Sequence, residues 1–341
     1  MLPGPVLAAP FHLSGEGVPE GYGRYGNPTW SVLEAAIGEL EGADTLVFAS
    51  GMAALTAVGL TLVAPDGVLV APADGYPGIR GLATDRLAPL GAEVRLVASD
   101  TRAVCDAAAG ASVVWVETPS NPRLDVVDIA AVASAAHGAG ALLVVDNSLA
   151  TPLGQTPLAL GADVCVAAAT KSLAGHSDLL LGYASCRERE HLDALRAWRD
   201  QTGGIAGPFE AWLAHRSLAT LDLRLGRQSE TALALMELLD GRDDVTEVCH
   251  PSRDPVARRQ MRRFGPLVSF DVGTRERAER FLAACELVTE ATSFGGVHTT
   301  AERRGRWGTD AVGEGFIRFS AGCEDTEDLL VDVARALDAT V

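Results

Sequence analysis

Through residue 185, short uninterrupted apolar runs alternate with alanine- and leucine-rich stretches of helical spacing. The runs are Gly67-Val68-Leu69-Val70-Ala71, Val94-Arg95-Leu96-Val97, Ser112 to Glu117, Ala141 to Asp146, Val164 to Ala168 and Leu179 to Ser185. A strand covered on one face alternates apolar and polar side chains, whereas a strand covered on both is apolar throughout. The pattern therefore predicts an α/β fold, a mostly parallel sheet wrapped by helices, with ligands held at the carboxyl ends of the strands. Glu117 to Asn121, Asp146 and Lys171 all follow such strand ends, so spacing alone gathers three polar elements on one edge of the sheet.

The character changes beyond Gly203-Gly204-Ile205-Ala206-Gly207-Pro208. Trp212 to Leu218 opens a long helical segment that bridges to a second unit. There, Val268 to Val272 and Phe316 to Ser320 read as strands, and Arg275 to Leu287 and Asp325 to Leu337 as amphipathic helices. The acidic run Glu324-Asp325-Thr326-Glu327-Asp328 suits the positive end of a helix dipole. Thr45 to Pro65 is uncharged and long enough to raise the question of a membrane span, but Ser50, Gly51, Thr56, Gly59 and Thr61 make a buried strand-turn-helix the better reading.

Two residues give this scaffold candidate chemistry. A lysine in a loop is ordinarily solvated, and an aspartate after a strand is often a helix cap. Lys171 and Asp146 at adjacent strand ends are together the pair that pyridoxal phosphate chemistry requires: an amine to form the Schiff base and a carboxylate to keep the pyridine nitrogen protonated. A phosphate site is expected at Phe48-Ala49-Ser50-Gly51-Met52-Ala53-Ala54, where a strand turns through Ser-Gly into a helix whose free N–H groups and dipole attract an anion. Ser-Gly alone is equally an ordinary strand-to-helix turn. Tyr22-Gly23-Arg24-Tyr25-Gly26-Asn27-Pro28-Thr29 has the groups to grip phosphate oxygens, and could equally be a solvated arm.

Composition narrows the classes. A chain of 341 residues with 48% hydrophobic content buries a large core, divided between a major and a minor domain. A formal net charge of -17 argues against nucleic acid or an anionic membrane surface as a partner. Six dispersed cysteines without a Cys-x-x-Cys pair fit reduced thiols rather than zinc or disulfides, and no metal site is expected. The proline-broken start, with no basic residue before Arg24, does not read as a secretory signal, and a cytoplasmic location is expected.

These motifs together resemble the Cys/Met metabolism (trans-sulfuration) family of pyridoxal phosphate enzymes. The likeness runs from Tyr22 to Thr29 through Ser50 to Ala54, Glu117-Thr118-Pro119-Ser120-Asn121-Pro122, Asp146 to Pro152 and Ala169-Thr170-Lys171, then to Ser293-Phe294-Gly295-Gly296 and Arg318 to Asp325. It implies the fold type I, aminotransferase-like architecture with a smaller α+β carboxyl-terminal domain. Residues 1–30 would be an arm contacting a neighbouring subunit, 31–218 the pyridoxal phosphate-binding domain and 219–341 the second domain. Lys171 would carry the cofactor and then shuttle protons, Asp146 would pair with the pyridine nitrogen, and Tyr76 would stack on the ring and help expel the leaving group. Gly51, Met52 and Thr170 would hold the phosphate, joined by Tyr22 and Arg24 from the neighbouring subunit. Arg318, Asn121 and Ser293 would hold the substrate carboxylate.

The resemblance further implies a homodimer with shared active sites, pairing into a homotetramer, that acts on a small amino-acid substrate. The wording of the motifs is nearest to bacterial cystathionine gamma-lyases. The activity implied is γ-elimination, cystathionine giving cysteine, 2-oxobutanoate and ammonia; γ-replacement on an activated homoserine is the alternative, and a carrier or regulatory module without turnover is the reading from another class.

Departures from the family pattern fall around the site. Ala168 stands where a phosphate-binding serine is common, and Gly78 where methionine gamma-lyases have a reactive cysteine. Tyr76-Pro77-Gly78-Ile79 replaces Tyr-Gly-Gly-Thr, and Arg80 lies near the position of an arginine for a distal carboxylate. Val297 to Trp307 replaces the usual Ser-Leu and His-Pro segment. Within it, Arg303-Arg304-Gly305-Arg306 is expected as a solvated or subunit-contacting loop rather than a substrate-binding one.

Overall fold

A computed structural model describes residues 3–13 and 21–340. Among these residues, seven strands form one sheet: β1 (Asp44–Phe48), β2 (Val68–Pro72), β3 (Glu93–Val97), β4 (Val113–Glu117), β5 (Leu142–Asp146), β6 (Val164–Ala167) and β7 (Gly182–Cys186). Their order is β1-β7-β6-β5-β4-β2-β3. β2 to β6 run parallel, and β7 lies antiparallel between β1 and β6. β4 and β7 are buried at every position. Most apolar residues of the sheet feed cores on its opposite faces: Leu69, Trp115, Val144 and Val166 pack with the helix Gly51–Leu62, and Val70, Val114, Val145 and Cys165 pack with the helix Ile129–Gly138. Covering both faces is what the unbroken apolar runs predict.

The second sheet contains β8 (Thr246–Cys249), β9 (Leu267–Asp271), β10 (Thr289–Glu290), β11 (Thr300–Arg303) and β12 (Phe316–Ser320), in the order β10-β11-β12-β9-β8. The helices Arg275–Ala284 and Thr326–Asp338 bury Phe281, Leu329 and Val333 against it. Asp325 caps the second of these through the N–H groups of Glu327 and Asp328, as its acidic start predicts.

One expectation holds and two change in detail. Thr45 to Pro65 is β1 followed by the helix Gly51–Leu62, and no helix among the described residues is long and apolar enough to cross a membrane. The run Leu179 to Ser185 becomes a strand only at Gly182; Leu180 is 65% exposed in the loop before it. The bridging segment is two helices, Pro208–Leu218 and Leu221–Asp240. The break is fixed by Arg224, whose buried guanidinium donates to Ser217 O, Ser172 O and Leu173 O at 3.0, 2.8 and 3.1 Å.

Candidate active site

The carboxyl ends of β4, β5 and β6 open into a cavity of about 620 Å³. Gly51, Met52, Tyr76, Asn121, Asp146, Thr170, Lys171, Ser293 and Arg318 all line it. Parallel pairing sets Glu117 opposite Asp146 at the last residues of β4 and β5, and the turn after β6 delivers Lys171 beside them. That turn is closed by Gly175 N–H donating to Lys171 O at 2.9 Å and clamped by Arg224 on the next two carbonyls. Gly175 has φ +69, and a Cβ there would overlap the Arg224 guanidinium.

Lys171 Nζ donates to Ser293 Oγ at 2.7 Å. Burial, reinforced by the Arg318 charge, brings the amine down to about 8, against the pull of Glu302 and Asp146. Ser293 has φ 76, a left-handed conformation costing a non-glycine residue about 1–3 kcal/mol. Arg318 Nη2 holds its carbonyl at 2.8 Å. Arg318 is itself buried, donates Nη1 to Asn121 Oδ1 at 2.7 Å, and is lowered to about 10 by burial despite its contact with Glu302.

Asp146 is also buried, and its Oδ1 accepts the Ser148 N–H at 2.9 Å. Burial raises its pKa, and Ser148 and Lys171 oppose the rise. Glu117 is pushed further, well above the carboxylate range, by burial and by the Asp146 and Asp74 charges; the Tyr76 N–H on its Oε2 at 2.5 Å only partly offsets this. Tyr76, 38% exposed, caps the helix Pro77–Leu82, and burial with Asp146 and Glu117 nearby raises its phenol.

At the other end of the cavity lining, Ser50 Oγ caps the helix Gly51–Leu62 by accepting the Ala53 N–H at 3.1 Å, and Gly51 and Met52 begin it. The approach is tight: a Cβ on Gly51 would lie 2.7 Å from the Ala168 Cβ, and one on Gly182 would overlap Ser50 O. The Thr170 hydroxyl donates to Leu181 O at 3.1 Å and accepts the Leu181 N–H at 2.9 Å, so it enters the cavity with its hydrogen bonds in use.

Tyr22 and Arg24 do not line this chain's cavity. Arg24 lies over the Tyr25 ring at 4.4 Å and donates to Tyr25 OH and Asp200 O.

The rim overturns one expectation. Arg303 and Arg304 are buried rather than solvated, and Arg304 lines the cavity with Trp307 and Thr309. β11 lies antiparallel to β12 with Glu302 opposite Arg318. Glu302 is fully buried and accepts from Arg318, from Arg304 Nη1 at 2.7 Å and from Trp307 Nε1 at 3.0 Å. These partners hold its carboxyl below the usual range although burial acts the other way. Asp310 fixes the far side of Arg304. Arg80 donates to Thr309 O at 2.7 Å and to Gly75 O, tying the rim to the Tyr76 turn. Sequence reasoning missed Glu302, Arg304 and Trp307, since a run of arginines carries no mark of the strand register that buries it.

The likeness to known proteins spans the whole chain. A Streptomyces coelicolor protein provisionally assigned as a cystathionine gamma-lyase is 53% identical over 350 residues, covering 99% of this chain and 89% of its own. The solved structure of apo CalE6, a methionine gamma lyase from Micromonospora echinospora, is 40% identical with a TM-score of 0.91, covering 98% of this chain and 93% of that one. Cystathionine gamma synthase from Xanthomonas oryzae, solved with cystathionine, is 34% identical with a TM-score of 0.93, covering 99% of this chain and 94% of that one. The model of the family described as Cys/Met metabolism PLP-dependent enzyme matches residues 11–338, and the chain belongs to that family of enzymes.

Proposed function

We propose that this protein catalyses γ-elimination on a sulfur amino acid, converting cystathionine and water to cysteine, 2-oxobutanoate and ammonia. The observation that carries the reading is the Lys171 amine, half-buried in the cavity wall, brought down to about 8 and resting on Ser293 Oγ at 2.7 Å. The reaction requires protons to be taken from two substrate carbons in turn, and an amine titrating near the working pH both accepts and returns them. Membership of an enzyme family sets aside a carrier module without turnover.

Pyridoxal phosphate is the cofactor of the family, and bound here it supplies an electron sink for charge developing at the substrate α-carbon. The residues fit it. Asp146, a buried carboxylate that lines the cavity, suits a protonated ring nitrogen; the start of the helix Gly51–Leu62 suits a phosphate. Gly51 and Met52 would hold that phosphate, with Thr170 once its hydroxyl leaves Leu181. Tyr22 and Arg24 of a neighbouring copy would complete it. Tyr76 would cover the ring and assist the leaving group, Lys171 would move the protons, and Arg318, with Asn121 and Ser293, would hold the α-carboxylate by the bidentate geometry a guanidinium offers.

We read residues 1–30 as the arm that makes this exchange, 31–218 as the cofactor domain and 219–341 as the second domain. The assembly is then a homodimer with shared sites, pairing into a homotetramer, and the location cytoplasmic. The second reading, γ-replacement, has support in the likeness to a cystathionine gamma synthase; it differs in that an incoming thiol takes the place of the departing group. The test is to incubate the cofactor-loaded protein with cystathionine and follow 2-oxobutanoate. Release of that product is expected; faster synthesis of cystathionine from a homoserine ester and cysteine would favour replacement.

A further inference from the structure

The rim carries an aromatic side chain that neither the cofactor nor the α-carboxylate requires. Trp307 lines the cavity and is 52% exposed. Its single polar atom, Nε1, is fixed on the buried Glu302 carboxylate at 3.0 Å, which leaves the indole only its ring faces to offer a ligand. Donating to a carboxylate also pushes electron density onto the ring, and polarisation of this kind strengthens in a low-dielectric setting.

The cations around the indole are already hydrogen-bonded. Among the described residues lining the cavity, the cations are Lys171, Arg304 and Arg318. Arg304 is neutralised by Glu302 at 2.7 Å and Asp310 at 2.6 Å. Arg80, behind the rim, is engaged with Thr309 O and Gly75 O. Among the described residues lining the cavity, a substrate tail bearing only negative charge would meet no guanidinium without hydrogen-bond partners, whereas an ammonium would meet a ring face of the right polarity.

We propose that Trp307 is a specificity-determining residue whose indole face receives the distal ammonium of a zwitterionic substituent on the substrate's γ-sulfur, so that the site disfavours γ-substituents carrying negative charge alone. This rests on the γ-elimination reading and names the substrate class within it.

The test uses the cofactor-loaded full chain and its W307L and W307F variants, with kcat and KM measured on cystathionine, on methionine as the neutral thioether and on a homoserine ester of a dicarboxylic acid as the anionic tail. W307L is expected to lower the cystathionine-to-methionine ratio of kcat/KM about tenfold, chiefly through KM, and W307F to restore part of it because a phenyl ring keeps a negative face. In the unsubstituted protein cystathionine should be preferred to the anionic ester. A ratio that stays constant in both variants, or an anionic ester handled as well as cystathionine, overturns the proposal and leaves γ-elimination standing. If no γ-substituted amino acid is turned over, it is the γ-elimination reading that fails. Calorimetric binding of cystathionine and methionine to the same variants then reads the same ratio, and its constancy overturns the role of Trp307 independently.

Discussion

The strand ends beneath the cavity and the segment from Glu302 to Asp310 above it manage buried charge in opposite ways. Beneath, Asp146 and Glu117 stand side by side, both driven upward by burial and Glu117 further by the Asp146 charge, and Lys171 is driven down. Above, Glu302 and Asp310 are bonded to Arg304 and Arg318, and the Glu302 carboxyl is held down. The floor is electrostatically unfinished, which is what a site that must accept a charged ring and move protons requires. The rim is finished within itself, so its task is to position Arg318 and Trp307 rather than to react.

The largest effect should come from the floor. Lys171→Ala removes the proton-moving amine, and 2-oxobutanoate release from cystathionine should drop by about 10⁴-fold. The urea midpoint of the apoprotein should not fall, because desolvation holds the amine near 8 at a cost to folding. A variant that lost stability as well as activity would show Lys171 to be part of the framework.

Opposite signs in stability sharpen the contrast. Glu302→Ala strips two buried guanidinium groups of a shared partner and should cost about 3–5 kcal/mol in urea unfolding. Asp146→Asn removes a carboxylate whose burial outweighs the pull of Ser148 and Lys171 and should stabilise the apoprotein by about 1 kcal/mol near pH 7. The pH dependence follows. Glu302, with its folded pKa depressed, contributes stability that is present above the unfolded value of 4.5 and lost as pH falls through the folded one. Asp146, with its folded pKa raised, carries a penalty that is absent at low pH and grows as pH rises above 3.8. Equal losses from both variants would erase the distinction between floor and rim.

How far each region could be read from sequence follows from the same difference. Glu117, Asp146 and Lys171 each end or follow an apolar run, so period and run length place them together before any contact is known. The Ser50-Gly51 turn is legible because a cap and a glycine are local features. Glu302 and Arg304 acquire their meaning only from the pairing of β11 with β12, which sets Glu302 against Arg318, and hydrophobic pattern does not encode that register. Arg303 and Arg304 therefore read as solvated when they are buried, while Arg306 of the same run is exposed. Leu179-Leu180-Leu181 misleads in the reverse direction, with strand-like composition but Leu180 exposed at the cavity. The break between Leu218 and Leu221 lacks a glycine or proline; its cause, Arg224 on the Lys171 turn, is a tertiary contact.

A titration tests the floor's chemistry apart from turnover. Labelling of the apoprotein with an amine-specific reagent, with the Lys171 peptide quantified across pH, should show half-maximal reactivity near pH 8 instead of the ordinary lysine value of 10.5. Arg318→Met should move that midpoint upward, because the Arg318 charge opposes protonation of Lys171. A midpoint that stayed in place would assign the whole depression to burial.

The smallest expected effect is a control away from the cavity. Glu41 is buried at the end of the helix Pro28–Glu41, where its Oε1 accepts from Tyr183 OH at 2.6 Å and from Cys165 Sγ at 3.5 Å. Its Oε2 has no hydrogen-bond partner among the described residues. Burial raises it from 4.5 to about 7, so the unfolded chain ionises first, and stability should be greatest below about pH 4.5 and decline until pH passes about 7. Glu41→Gln removes that titration and should stabilise the protein by about 1 kcal/mol at pH 8, with the advantage vanishing toward pH 4.5. Glu41 does not line the cavity, so kcat/KM on cystathionine should stay within about twofold. A raised carboxyl would then mark burial at Glu41 and function at Asp146, the two being told apart by whether a lysine and an open cavity stand beside it. A marked loss of activity in E41Q would mean that charge beneath β6 reaches Lys171 through the sheet, and the floor would have to be redrawn to include it.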